Sequence, residues 1–366
     1  MALGGMLREC RCGDNPPSER HAILYCLGLA SAFVLSMYAL IPPRVRRMDR
    51  NNEIHIQWRA VATGAVTIGA VLSYPLLICD KTTPDPTEFS ADKSWSMLDI
   101  LWPRHVEVVL LHVCILYAGA AFTALLRVYR HRQRSVNQNG RPSKNSFPSD
   151  IVRLLLKPSI TSLLNPLSET ERWMNLRNYV IAPLTEEIVF RGCMVPALLA
   201  AGFSVTRTCL IAPLFFGVAH AHHAMVQLMK GHRVLSVCLT TFFQFAYTSL
   251  FGSYASYAFI RTGSVTAVAV AHAYCNWMGL PNLSFVDDGH MLHEYRTYLV
   301  LIYIAGVLAF KWFLSSDILL PWPSVLPEML SPPPPTLVED EGLVDNMLPT
   351  YVQETADQYL PSYFQK

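Results

Sequence analysis

Three charged residues, Glu186, Glu187 and Arg191, interrupt residues 178–203, which otherwise have the length and composition of a membrane helix. An ionised carboxylate at the centre of a bilayer costs about 2.5–3.5 kcal/mol on insertion scales, so two adjacent ones indicate a polar cavity and a function. On a helix Glu187 and Arg191 are one turn apart and can form an ion pair. Glu186 points about 100° away from Glu187. The pattern therefore predicts one paired carboxylate and one free carboxylate.

Further polar residues lie in later apolar segments of the chain. His220 ends one such segment, four residues after Phe216, and His272 and Asn276 share one face of another helix. When the membrane spans are drawn from hydropathy, Glu186, His220, His272 and Asn276 lie at a similar depth on the same side. This agreement predicts one water-filled cavity that opens to the cytosol.

The combination of a free carboxylate with histidines is suited to hydrolysis. The carboxylate can act as a base toward water, and histidine and asparagine side chains can donate hydrogen bonds to the oxyanion that forms at a peptide carbonyl. A zinc site made from Glu186, His220 and His272 is an alternative. The chain contains no His-Glu-x-x-His helix and no Gly-x-Ser-x-Gly nucleophile motif. We therefore expect no metal cofactor and no serine nucleophile.

The composition of the whole chain indicates a polytopic membrane protein. Of its 366 residues 52% are hydrophobic and only 15% are charged, and the mean hydropathy is positive. A net charge of +2 does not indicate a nucleic-acid partner. We predict an all-α bundle of about eight transmembrane helices in the lipid bilayer. The predicted spans are residues 22–41, 60–79, 105–126, 178–203, 205–220, 234–260, 264–280 and 297–314.

Four segments follow from this pattern. They are a polar N-terminal segment (1–20), three membrane helices with basic loops (21–148), a catalytic membrane bundle (149–320) and a proline-rich, acidic tail expected to be disordered (321–366). Both basic loops lie in the cytosol if the N-terminus is luminal. Small residues predict close helix packing at four positions, namely Gly202, Gly217, Gly252 and Gly263.

The polar motifs resemble those of a known protease family. Glu186-Glu187-x-x-x-Arg191, Phe216-x-x-x-His220 and His272-x-x-x-Asn276, in this order on separate helices, are similar to the three motifs of the type II CAAX prenyl endopeptidases. The resemblance implies an intramembrane endopeptidase of the endoplasmic reticulum. Its expected reaction is removal of the C-terminal tripeptide from farnesylated or geranylgeranylated CAAX proteins such as Ras-type GTPases.

The resemblance also implies catalytic roles. Glu186 would activate a water molecule that His220 helps to hold, and His272 and Asn276 would stabilise the oxyanion. The active site would face the cytosol.

The remaining motif residues, Glu187, Arg191 and Phe216, would shape the site. Three alternatives stay open at this stage: a zinc-dependent version of the same protease, a transporter whose charged residues mark an ion path, and a prenyl-protein scaffold without catalysis.

Overall fold

The computed structural model describes residues 17–78, 105–139, 168–219 and 222–315. This part of the chain is helical and contains no strand, which confirms the predicted all-α class. All of it belongs to one compact unit. The α-helices are α1 (Glu19–Ala39), α2 (Pro43–Arg46), α3 (Glu53–Ile78), α4 (Val106–Leu116), α5 (Ala118–Asn139), α6 (Glu169–Leu176), α7 (Ala182–Glu187), α8 (Met194–Ala200), α9 (Val205–Ala219), α10 (His222–Met229), α11 (Val234–Thr262), α12 (Val265–Met278) and α13 (Arg296–Ser315). The acidic tail predicted from residue 321 lies outside the described residues.

Several helices are long and apolar enough to cross a membrane. These are α1, α9 together with α10, α11, and the stretch His293–Ser315. The pair formed by α4 and α5 makes a fifth span if it is counted as one, although its two helices meet at an angle of 64° around Tyr117. The predicted membrane bundle is supported, but the predicted number of eight spans is not confirmed. Four spans, or five with the bent pair, are found in the described residues, and neither the interrupted fourth span nor α3 nor the short α12 is among them.

The interruption of the fourth span positions the two carboxylates. A π-helical segment, Arg177–Ile181, precedes α7, and a second one, Ile188–Cys193, follows it. π-Helical insertions inside α-helices are frequent at functional sites. Pro183 is the second residue of α7, directly after the first π-helical segment, and has no N–H to donate to the preceding turn. Glu186 and Glu187 therefore end a short α-helix between two π-helical segments.

Glycines bring α9 and α11 together. A Cβ on Gly217 would lie 2.7 Å from a phenylalanine ring of α11, and a Cβ on Gly252 would lie 2.8 Å from Pro213 of α9. The predicted close packing is confirmed at these two positions. It is wrong at Gly202, where no atom lies within 4 Å of a Cβ. Gly202 and Gly263 follow helices with positive φ angles of 86° and 64°, and close packing at Gly263 stays a prediction.

Helix α12 contacts many other elements of the described bundle. It packs against α7, both π-helical segments, α4 and α11. Its small and branched side chains are fully buried, which permits this close contact. These residues are Val265, Ala267, Val268 and Ala271. Helices α1 and α3 pack on each other and on α8 beyond α7. The junction of α7 and α12 thus lies inside the bundle.

Candidate active site

Glu187 forms the buried centre of the site. Its Oε1 accepts a hydrogen bond from Arg191 Nη1 at 3.0 Å and lies 2.7 Å from Nδ1 of His272. The Glu187 and Arg191 side chains are 0% and 1% exposed, so neither is accessible from the membrane or from water. The predicted ion pair is confirmed. The contact with His272 was not predicted, because nothing in the spacing of the sequence indicates it.

Glu186 has a different environment from its neighbour. Its side chain is 19% exposed and lines a cavity, and its Oε2 lies 3.8 Å from Nε2 of His272. This distance is too long for a direct hydrogen bond, and a water molecule can bridge such a gap. The His272 ring therefore lies between two carboxylates. Its Nδ1 contacts the buried Glu187, and its Nε2 lies near the accessible Glu186.

Aromatic rings enclose Arg191 and His272. The Arg191 guanidinium lies 4.7 Å from the ring centre of Phe216 and 5.9 Å from that of Phe251, within the range of cation–π attraction. The His272 ring packs against the same two rings, with centroid distances of 6.3 Å to Phe216 and 5.0 Å to Phe251. Phe216 thus packs beside the site, as the resemblance implied, and Phe251 is a neighbour that the sequence did not indicate.

Asn276 lies one turn after His272 on α12 and lines the same cavity. Its Nδ2 donates a hydrogen bond to the backbone carbonyl of Asn178 at 3.1 Å.

His220, which the sequence predicts in the same cavity, lies outside the described residues. Ala219, which immediately precedes it, lines the cavity. Glu186, His272 and Asn276 are therefore brought to one cavity, and the position of His220 stays a prediction.

The cavity has a volume of about 1170 Å³ and two chemically different walls. The apolar wall consists of aromatic and aliphatic side chains of α4, α11 and α13, among them Leu116, Tyr254 and Phe310. The arginine wall consists of Arg50, Arg59 and Arg177, from the turn before α3, from α3, and from the first π-helical segment. Neither wall was predicted from the sequence.

No three His, Cys, Asp or Glu side chains in the described ranges are grouped so that they could hold a metal ion. The zinc set considered from the sequence includes His220, which is outside those ranges. The expected absence of a metal cofactor therefore stays a prediction.

Comparison with known proteins identifies similar chains. A sequence model described as Type II CAAX prenyl endopeptidase Rce1-like matches residues 168–278, from the start of α6 to the end of α12. The chain is 37% identical over 266 residues to CAAX prenyl protease 2 of Arabidopsis thaliana. This aligned region covers 72% of this chain and 80% of that protein. It is 44% identical over 137 residues to the Homo sapiens protein of the same name, covering 37% of this chain and 40% of that protein.

A third relative is Probable CAAX prenyl protease 2 of Schizosaccharomyces pombe, 35% identical over 191 residues, covering 46% of this chain and 69% of that protein. No solved structure gives a significant match. The matched family region contains all the motif residues discussed above.

Proposed function

We propose that this chain, which belongs to the family of type II CAAX prenyl endopeptidases and is a CAAX prenyl endopeptidase, hydrolyses the scissile peptide bond of its substrate in the space between the Glu186 and His272 side chains. The observation that carries this proposal is the difference between two adjacent carboxylates. Glu187 is fully buried and bonded to Arg191 and His272, whereas Glu186 opens into the cavity. Glu186 is therefore the carboxylate that water and a substrate can reach.

Glu186 acts as the general base in this mechanism. Its carboxylate accepts a proton from a water molecule, and the water oxygen attacks the carbonyl carbon of the scissile bond. The C–N bond of the resulting tetrahedral intermediate then breaks, and the amine leaves with the proton that Glu186 returns to it. A positioned base of this kind contributes typically about 10²–10⁴-fold to the rate. Following the family resemblance, His220 helps to hold the water.

His272 and Asn276 stabilise the oxyanion of the intermediate. The bond between Glu187 and Nδ1 fixes the orientation of the His272 ring and directs Nε2 toward Glu186. In its protonated form the imidazole donates from Nε2 to the oxyanion. Asn276 has a second N–H on Nδ2 besides the one that it donates to the Asn178 carbonyl, and this N–H is available to the oxyanion as well.

Prenylated CAAX proteins are the substrates of this enzyme class, and we propose Ras-type GTPases with farnesyl or geranylgeranyl groups among them. The apolar wall supports this proposal, since an isoprenoid loses unfavourable contact with water when it lies against aromatic and aliphatic side chains. Burial of apolar surface stabilises by roughly 25 cal/mol per Å². The isoprenoid would therefore lie along α4, α11 and α13.

We place the protein in the endoplasmic-reticulum membrane, with its cavity open to the cytosol. Several apolar helices support a membrane location. The side chain of Arg177, on the arginine wall, donates a hydrogen bond at 3.3 Å to the backbone carbonyl of Arg50, in the basic loop that contains Arg44, Arg46 and Arg47. Loops rich in arginine near membrane helices favour the cytosolic side. This contact therefore supports a cavity mouth on that side.

Cleavage of a farnesylated CAAX peptide by the purified protein tests the proposal, with release of the tripeptide followed by mass spectrometry. Glu186→Gln keeps the shape of the side chain and removes the base, so we expect loss of cleavage. Glu169→Gln is a matched control, because Glu169 is exposed and pairs with Arg172 on the surface of α6. Full activity of the Glu186→Gln protein would disprove the mechanism.

A further inference from the structure

The arginine wall gathers three positive charges in one part of the cavity. Arg59 is within electrostatic reach of Arg50 and Arg177, and Arg177 is within reach of Arg50. Arg59 and Arg177 are both half-buried, so water screens their repulsion less than it would on an open surface. Such a cluster is unfavourable by itself and becomes favourable when an anion binds to it.

The protein does not supply that anion in the ranges that the structure describes. None of the three guanidinium groups forms an ion pair there with a carboxylate. Arg59 donates to the thioether of Met37 at 2.9 Å. Arg177 donates to the Arg50 carbonyl and to two asparagine side-chain oxygens at 2.9–3.3 Å. All of these acceptors are neutral, so the positive charge of the wall is not compensated by its bonding partners.

The distribution of charge around the cavity also separates the two walls. Glu186 is the one carboxylate among the described lining residues, and it acts electrostatically on Arg59 without forming an ion pair with it. Another cation of the described lining, Lys311, stands on α13 beside residues of the apolar wall. The cavity thus offers an apolar surface and a cationic surface, with Glu186 and His272 at the α7–α12 junction.

The reaction requires an anion close to the scissile bond. The tripeptide that leaves carries the free α-carboxylate of the substrate, and three extended residues span at most about 11 Å. The α-carboxylate must therefore lie within this distance of the carbonyl attacked beside Glu186. Arg59 lines the same cavity as Glu186 and stands on α3, which packs against α7.

We propose, on the basis of the proposed function, that Arg59 and Arg177, assisted by Arg50, bind the C-terminal carboxylate of the CAAX substrate. Guanidinium groups suit this role, because they bind carboxylates through short, charge-assisted hydrogen bonds. The isoprenoid on the apolar wall and the carboxylate on the arginine wall hold the substrate at both ends. The distance between the two walls then selects the bond that is cleaved.

Two farnesylated peptides that differ only at the C-terminus test this proposal, one with a free carboxylate and one with a carboxamide. The purified full-length protein should cleave the free acid with a kcat/KM about tenfold or more above that of the amide, as expected for a hydrogen bond to a charged group. Arg59→Gln and Arg177→Gln should each lower kcat/KM for the acid about tenfold and leave the amide unchanged. Arg59→Lys, which keeps the charge, should retain part of the preference.

Arg207→Gln is the matched control for these variants. Arg207 is exposed and pairs with Glu19 at the opposite end of α1 from Arg50, so this variant should keep the wild-type preference. An unchanged ratio of acid to amide cleavage in Arg59→Gln and Arg177→Gln would overturn the proposal. An equal loss on both peptides would also overturn it, since it would indicate a packing role or a bound lipid phosphate. Failure of the wild-type protein to cleave either peptide would instead contradict the proposed function.

Discussion

His272 Nδ1 lies 2.7 Å from Glu187 Oε1, although the two residues are 85 positions apart in the sequence. The bond joins α12 to α7, and Arg191 Nη1 holds the same carboxylate oxygen at 3.0 Å. Glu187 therefore orients the histidine and is itself fixed by the arginine. This arrangement leaves Nε2 of His272 near the second carboxylate, that of Glu186.

Glu187→Gln should reduce both stability and activity. The substitution leaves the buried Arg191 guanidinium without a counter-charge, and breaking a buried pair in this way costs about 3–5 kcal/mol. It also weakens the bond that orients His272. Thermal unfolding in detergent should give a lower Tm, and cleavage of a farnesylated peptide should give a lower kcat. A Glu187→Gln protein with wild-type Tm and kcat would contradict this assignment.

The double variant Glu187→Leu with Arg191→Met separates the two effects. Replacing both members of a buried ion pair by apolar residues is often neutral or stabilising. We expect Tm to recover relative to Glu187→Gln while kcat stays low, because His272 still lacks its acceptor. Recovery of kcat together with Tm would mean that the carboxylate serves packing alone.

Asn276→Ala should reduce kcat with a small effect on stability. Asn276 is exposed to the cavity and donates a hydrogen bond to the Asn178 carbonyl, so removal of this bond should cost about 0.5–1.5 kcal/mol. Loss of an oxyanion donor lowers kcat about 10²–10³-fold. Asn282→Ala is a suitable control, since Asn282 is an exposed turn residue that accepts a hydrogen bond from the Ser284 amide. Wild-type kcat in Asn276→Ala would exclude this residue as an oxyanion donor.

Local spacing and hydropathy were sufficient to predict part of the site. The Glu187–Arg191 pair follows from an interval of one helical turn. The meeting of Glu186 with His272 follows from the depth at which each residue lies along its apolar segment. The bond between His272 and Glu187 does not follow from either signal, because it depends on which helices are neighbours and on the rotation of each helix about its axis.

Other features could not be predicted, for different physical reasons. The two π-helical segments leave the apolar composition of residues 178–203 unchanged, so hydropathy alone predicts one uninterrupted helix. The bend at Tyr117 divides a stretch whose apolar character is continuous on both sides. Arg59 and Arg177 stand at the ends of apolar stretches, where positive residues are common in any membrane protein. Their convergence on one cavity wall becomes visible only when the helices are packed.

Removal of metal ions should leave the activity unchanged. The proposed base is the Glu186 carboxylate, which needs no metal to accept a proton from water. Purified protein treated exhaustively with a chelator should cleave the farnesylated peptide at the untreated rate, and elemental analysis should find less than one equivalent of zinc. Loss of cleavage after chelation, with recovery on addition of zinc, would support the zinc-dependent alternative with Glu186, His220 and His272 as ligands.

Gly252→Ala should disturb the site through Arg191, whose guanidinium lies next to Gly252 on α11. A Cβ at this position would lie 2.8 Å from Cβ of Pro213 and 3.0 Å from Nη2 of Arg191. Real Cβ atoms essentially never approach another atom to 2.8 Å, so α9 must move away from α11, and the tight contact with Nη2 can also displace the guanidinium from Glu187. Both movements lower Tm, and the second also lowers kcat because it releases the carboxylate that orients His272.

Gly28→Ala provides the comparison for this effect, since the same methyl group in α1 meets no atom within 4 Å. Alanine is favoured over glycine inside a helix by about 1 kcal/mol, so Gly28→Ala should keep or raise Tm and leave kcat unchanged. If Gly252→Ala lowers Tm while kcat stays at the wild-type value, the helices have separated and the Arg191–Glu187–His272 arrangement has survived. A decrease in both, absent in Gly28→Ala, would mean that the position of Arg191 controls the catalytic histidine through Glu187.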